Sequence, residues 1–86
     1  MPTISRFFGI EIRMYYEDHA PPHFHAFYSG RTAALSIVSL EVLRGELTPR
    51  AYRMVLEWAI EHRSELLENW RRAEAHEVLS WIEPLA

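Results

Sequence analysis

The amino-acid sequence predicts an α+β fold: a small antiparallel sheet of four to six strands packed against one long bent helix or two successive helices. Two observations predict it. Up to residue 47 the apolar side chains recur with a period of two, the alternation of half-buried strands. From residue 49 to 75 they recur near the helical period, and no glycine or internal proline interrupts the run.

The elements follow in order. Ile4 to Phe8 is β-rich and ends at Gly9. Ile10 to Glu17 alternates, with Ile10, Ile12, Met14 and Tyr16 on one face and Glu11, Arg13, Tyr15 and Glu17 on the other. Asp18 to Pro22 is a loop, because two prolines and an aspartate form turns and proline gives no ladder donor. Phe24 to Tyr28 is the next strand, and Ser29-Gly30 is a two-residue hairpin turn. Arg31 to Val38 follows, with Ala33, Leu35 and Ile37 on one face, then a short strand over Glu41 to Leu47. Thr48 caps a helix whose first residue is Pro49. A single helix of about 25 residues would span about 37 Å, so a bend is expected near His62 to Ser64. Glu77 to Glu83 reads as a closing strand, stopped by Pro84. The chain is thus one domain over 1–86: strand-rich over 1–47, helical over 49–75, with the closing strand over 77–83.

Composition narrows the class. A chain of 86 residues with 49% hydrophobic and 13% aromatic residues folds, but around a small core. The absence of cysteine excludes a disulfide scaffold and cysteine-ligated zinc. No apolar stretch is long enough to span a membrane, and no basic segment precedes an apolar run at the start. The expected location is cytoplasmic, with a natural start at Met1. The net charge of −3 argues against a protein that coats DNA. Residues 1–53 carry six arginines and five acids, residues 54–86 three arginines and seven acids, so the helical half is acidic. Every lysine-or-arginine position is arginine, the side chain suited to bidentate contacts with carboxylate or phosphate.

The segment Asp18-His19-Ala20-Pro21-Pro22-His23-Phe24-His25 carries the chemistry. Antiparallel pairing of the strands around it, with Tyr16 facing Phe24, makes one apolar face. It leaves Glu17 opposite His23, Tyr15 opposite His25 and Arg13 opposite Phe27 on the other. The Ser29-Gly30 turn then sets His25 beside Ala34 and His23 beside Ser36, small neighbours that leave space above the histidines. Three roles fit. His19, His23 and His25 are metal-ligand candidates, with Asp18 as ligand or as support. His23 and His25, with Tyr15, Arg13 and Glu17, suit acid–base cleavage of a phosphodiester, Arg13 holding the phosphate. The histidines also suit bracing of the loop, His19 above all. The catalytic candidates are therefore His23, His25, Tyr15 and Arg13, and the binding candidates His19, Asp18 and Glu17. No cofactor is expected beyond a divalent metal. His62 and His76 read as helix positions, and Trp58, Trp70 and Trp81 as core or interface. Arg53–Glu57 and Glu68–Arg72 have ion-pair spacing. There is no phosphate loop, G-x-S-x-G or H-E-x-x-H.

The opening Met1-Pro2-Thr3-Ile4, then Gly9-Ile10, Ile12-Arg13-Met14-Tyr15 and Asp18 through Ala26, resemble the prokaryotic family known as domain of unknown function 4160. So do Gly45-Glu46-Leu47, Val55 through Ala59, His62-Arg63, Glu65-Leu66, Asn69-Trp70 and the close Ile82-Glu83-Pro84-Leu85. The resemblance implies a toxin-like component of a two-gene toxin–antitoxin module. The partner it implies is a cognate small protein encoded nearby, typically of the domain of unknown function 2442 type. It carries no catalytic residue set. Joined to the His/Tyr/Arg face, it gives RNA as the candidate target. A non-catalytic module that binds a partner or a second copy, and a histidine-based metal-binding domain, stand as the alternatives.

Overall fold

Strand alternation carries directly into a five-stranded antiparallel sheet, seen in a computed structural model that describes residues 2–86. The elements are β1 (Thr3–Phe7), β2 (Ile10–Arg13), β3 (His23–Tyr28), β4 (Arg31–Ser36), β5 (Val42–Gly45), α1 (Pro49–Glu61) and α2 (Arg63–Glu74). The strands lie in chain order, a simple meander. The Phe8-Gly9 and Ser29-Gly30 turns have positive φ at both central residues, the twist-matched hairpin geometry. Tyr28 therefore pairs with Arg31, His25 with Ala34 and His23 with Ser36, as the sequence predicts.

The predicted apolar face is the core: Ile12, Met14, Phe24, Ala33, Leu35 and Ile37 are all buried. The Thr48 hydroxyl accepts from the Ala51 N–H, and Pro49 opens α1. The predicted bend falls at His62, whose φ of −119° and ψ of 22° leave the helical range and divide the run into two successive helices. Arg63 Nε donates to the Ile37 carbonyl at 3.1 Å and ties the start of α2 to the end of the sheet.

Three expectations need correction. First, β2 ends at Arg13 rather than Glu17, because Glu17 takes a φ of +57° and turns the chain out of the sheet. The longer loop shifts the β2–β3 register by two residues, so Arg13 faces His25 and Ile12 faces Ala26. A shift of two keeps each side chain on its face. Second, Leu56 falls on the apolar period that predicts the helix, yet it is only half-buried. The buried stripe runs through Ala51, Val55, Trp58 and Ala59, and Trp58 lies between Phe7 and Phe24 with ring centroids at 5.3 and 6.0 Å. Third, residues 77–83 form no strand. Their backbone is held mainly by side chains: Asn69 Nδ2 donates to the Ser80 carbonyl, the Ser80 N–H donates to Asn69 Oδ1, and Trp58 Nε1 donates to the Glu83 carbonyl. One ladder-like bond remains, from the Ile82 N–H to the Ile4 carbonyl at 2.8 Å, and it covers the β1 edge. Ile82 is buried while Val78 and Trp81 face solvent, at 80% and 53% exposure.

Gly45 marks a close approach of β5 to β4. Its φ is +74°, and a Cβ there would lie 2.2 Å from the Thr32 carbonyl oxygen. Gly45→Ala should therefore cost about 1–3 kcal/mol, read from urea denaturation, and an unchanged midpoint would refute this close packing. Trp58→Ala should cost about 3–5 kcal/mol, and Leu56→Ala less than the roughly 2–5 kcal/mol of a fully buried leucine. Equal costs in thermal or chemical unfolding would show that the helix face is misassigned.

Candidate functional site

The loop from Met14 to Pro22 folds back over the start of β3, and one carboxylate organises it. The His19 N–H donates to Asp18 Oδ1 at 2.9 Å, which fixes the carboxylate plane. Asp18 Oδ2 then lies 3.0 Å from His23 Nε2 and 3.2 Å from His25 Nε2. The period of two along β3 is what points both imidazoles to the same side. The Ala20–Pro21 peptide is cis, and the Pro21 carbonyl lies 2.8 Å from His23 Nδ1.

These contacts set the tautomers. A carbonyl oxygen only accepts, so His23 Nδ1 carries a proton and donates it. In the neutral ring, Nε2 is then a lone-pair acceptor. It is buried and close to Asp18 Oδ2, yet it has no hydrogen-bond geometry to any partner. His23 is 3% exposed, with the Trp70 ring centroid 5.3 Å from its own. His25 Nε2 faces a carboxylate oxygen, which likewise only accepts, so this nitrogen donates.

Burial pushes the His25 pKa down, helped by the charges of His23 and Arg44 and opposed by its bond to Asp18. The net shift is downward, which keeps the ring neutral near pH 7. Burial pushes the Asp18 carboxyl up, but the His25 bond, the His19 N–H and the nearby histidine charges outweigh it and leave Asp18 ionised. An ionised carboxylate and neutral imidazoles bind metal, and His25 would do so through Nε2 with its proton moved to Nδ1. The three donor atoms lie within 4.8 Å of one another. Two donors on one zinc ion, each at about 2.0–2.2 Å, sit roughly 3.0–3.5 Å apart, and the two Asp18 separations already fall there.

The remaining candidates divide. Tyr15 packs on His25 with ring centroids 4.6 Å apart, so it joins the cluster as predicted. Arg13 sits beside His25 in the sheet but is committed elsewhere. Its Nε donates to Glu11 Oε2 at 2.8 Å, and its guanidinium lies 4.1 Å from the Phe27 ring centre. The Arg13 hydrogen bond, followed by that of Thr3, holds the Glu11 carboxyl at about 2, so the pair stays ionised. Glu17 points away, 4.0 Å from His76 at the far end of α2. His19 is exposed and gives the site its backbone N–H, and Asp18 stands where the sequence offered His19 as the third ligand. The expected open space is also absent, since Ala34 and Ser36 are themselves buried. One residue goes unnoticed in the sequence: Arg44, which pairs with Ala34 across β5 and so joins the row containing Arg13 and His25. The bulge between Ala34 and Leu35 sets that register, and no turn residue announces it.

Among the described residues no helix is long and apolar enough to cross a membrane. No curated protein and no solved structure matches this chain. A family match covers residues 9–71, a span that includes the whole sheet beyond β1, the Asp18–His25 segment and most of both helices. The chain belongs to the family described as Domain of unknown function (DUF4160).

Proposed function

We propose that this protein binds one divalent transition-metal ion through Asp18 Oδ2, His23 Nε2 and His25 Nε2. The observation that carries the reading is the His23 ring. Its Nδ1 is held by the Pro21 carbonyl, so its buried Nε2 is left without a hydrogen-bond partner, 3.0 Å from a carboxylate oxygen. Two acceptors in that position repel unless a cation lies between them. A metal ion answers that demand. The Pro21 carbonyl and the His19 N–H are the outer contacts that orient ligating histidines and carboxylates in metal sites. Two imidazoles and one carboxylate suit zinc, iron, cobalt or nickel better than calcium or magnesium. Three protein donors leave coordination positions free for water or substrate.

The toxin-like role in a two-gene module, acting on RNA, is the second reading. It is supported by the location of the Asp18–His23–His25 cluster inside the family-matched span, with an aromatic ring and arginines around it. As acid–base groups alone, His23 and Arg13 suit it poorly, since one is sealed and the other is paired with Glu11. A metal-bound hydroxide would supply the nucleophile instead. A cognate protein or a second copy would find the exposed outer edge of β5, with Val42 and Leu43 partly open to solvent.

Isothermal titration of untagged protein with zinc or cobalt should give one site per chain. Asp18→Asn and His25→Gln should each weaken it by roughly 100-fold or more, while His19→Ala should leave it intact. Metal at about 100 times its Kd should stabilise the native chain by about 2.7 kcal/mol, and the ligand variants should lack that gain. A stoichiometry near zero, or variants that bind as well as the native chain, would overturn the centre. Expression of the native protein without its genetic neighbour should slow bacterial growth, and folded Asp18→Asn should not. Equal toxicity of the two would separate any toxin role from this site.

A further inference from the structure

We infer that the open side of this centre takes a phosphate-class oxyanion, with Arg44 as its cationic partner. The inference rests on the metal reading and names what the free coordination positions bind.

The sheet places the residues. Arg13 pairs with His25, His25 with Ala34 and Ala34 with Arg44, so all four side chains leave the same face in one row across β2 to β5. Adjacent strands are about 4.8 Å apart, which puts the Arg44 backbone roughly 10 Å from that of His25. Only the alanine lies between them, and an arginine side chain is long enough to reach back over it.

Charge decides the ligand class. Asp18 supplies one negative charge, and both imidazoles are neutral as ligands. A divalent ion brings two positive charges and Arg44 one. Arg13 adds nothing, because Glu11 neutralises it. Arg44 has no ion-pair partner among the described residues, and it lies on an exposed strand. The occupied centre therefore carries a net charge of about +2. A phosphate dianion matches that charge, whereas a carboxylate leaves one unit uncompensated. The geometry matches too, since one oxygen can take a free metal position while two others accept from the guanidinium fork. The approach is from the Asp18 and His25 side, where the side chains keep 18% and 16% exposure, because His23 is closed off by Trp70.

The test uses metal-loaded full-length protein, freed of excess ion, titrated with inorganic phosphate and followed by phosphorus NMR or calorimetry. Metal uptake is measured first on the same samples. The native metal-loaded protein should bind phosphate, and the metal-free protein should not. Arg44→Gln lies on an exposed strand and should fold and load metal, but should bind phosphate at least about tenfold more weakly, the worth of a charge-assisted contact. Further arms use a mononucleotide and a short single-stranded RNA. Binding of the RNA with the same dependence on metal and on Arg44 identifies a nucleic-acid backbone as the source. Binding confined to phosphate and the mononucleotide identifies a small phosphorylated ligand. Metal uptake without phosphate binding, or equal phosphate binding by native and Arg44→Gln protein, overturns the inference and leaves the metal centre standing. Failure to load metal removes both.

Discussion

Strand β3 imposes the constraint on which the molecule depends. A strand sends successive side chains to opposite sides, so one six-residue segment must serve two environments at once. Phe24 and Ala26 go to the core beneath the helices, and His23 and His25 go to the other side. The core cannot be repacked by sliding β3 one residue without bringing the imidazoles into it. Packing and site geometry are thereby fixed by the same pleat.

Polar groups outside the ladders are satisfied by particular side chains, and this is how a small core is closed. Asn69 holds both backbone groups of Ser80, Trp58 holds the Glu83 carbonyl, and the Ser5 hydroxyl donates to the Ile82 carbonyl. Of these, the Ser5–Ile82 bond is buried, and leaving such a group without a partner costs about 1–3 kcal/mol. Trp58 thus does two things: its ring fills the space between Phe7 and Phe24, and its indole N–H anchors the C-terminal tail. Against that background of satisfied groups, the buried His23 Nε2 is the exception, and it lies where Asp18 and His25 converge.

The two sides of that cluster differ electrostatically. On the β2 side Arg13 is neutralised by Glu11 and stacked on Phe27, which makes it part of the scaffold. On the β5 side Arg44 has no ion-pair partner among the described residues and lies on an exposed strand. On the acidic α2, Glu68 is occupied by Arg71 and Arg72.

What depends on local geometry was legible in the residues. Alternation gave the sheet faces, the Ser29-Gly30 turn gave the β3–β4 register to the residue, and the Thr48-Pro49 start with an uninterrupted apolar period gave the helices. It also placed His23 and His25 on one face, because a period of two needs no tertiary information. Tertiary structure decided the rest. The β2–β3 register depended on the chain leaving the sheet after Arg13, and the Arg44 position on a bulge in β4. The tail looked like a strand because alternation does not reveal whether the backbone finds another strand or, as here, the side chains of Asn69 and Trp58. That Asp18 rather than His19 meets the two imidazoles was likewise beyond local reading. The loop folds back and brings a carboxylate within 3.2 Å of two imidazoles up to seven residues away, a distance in space that sequence spacing does not encode.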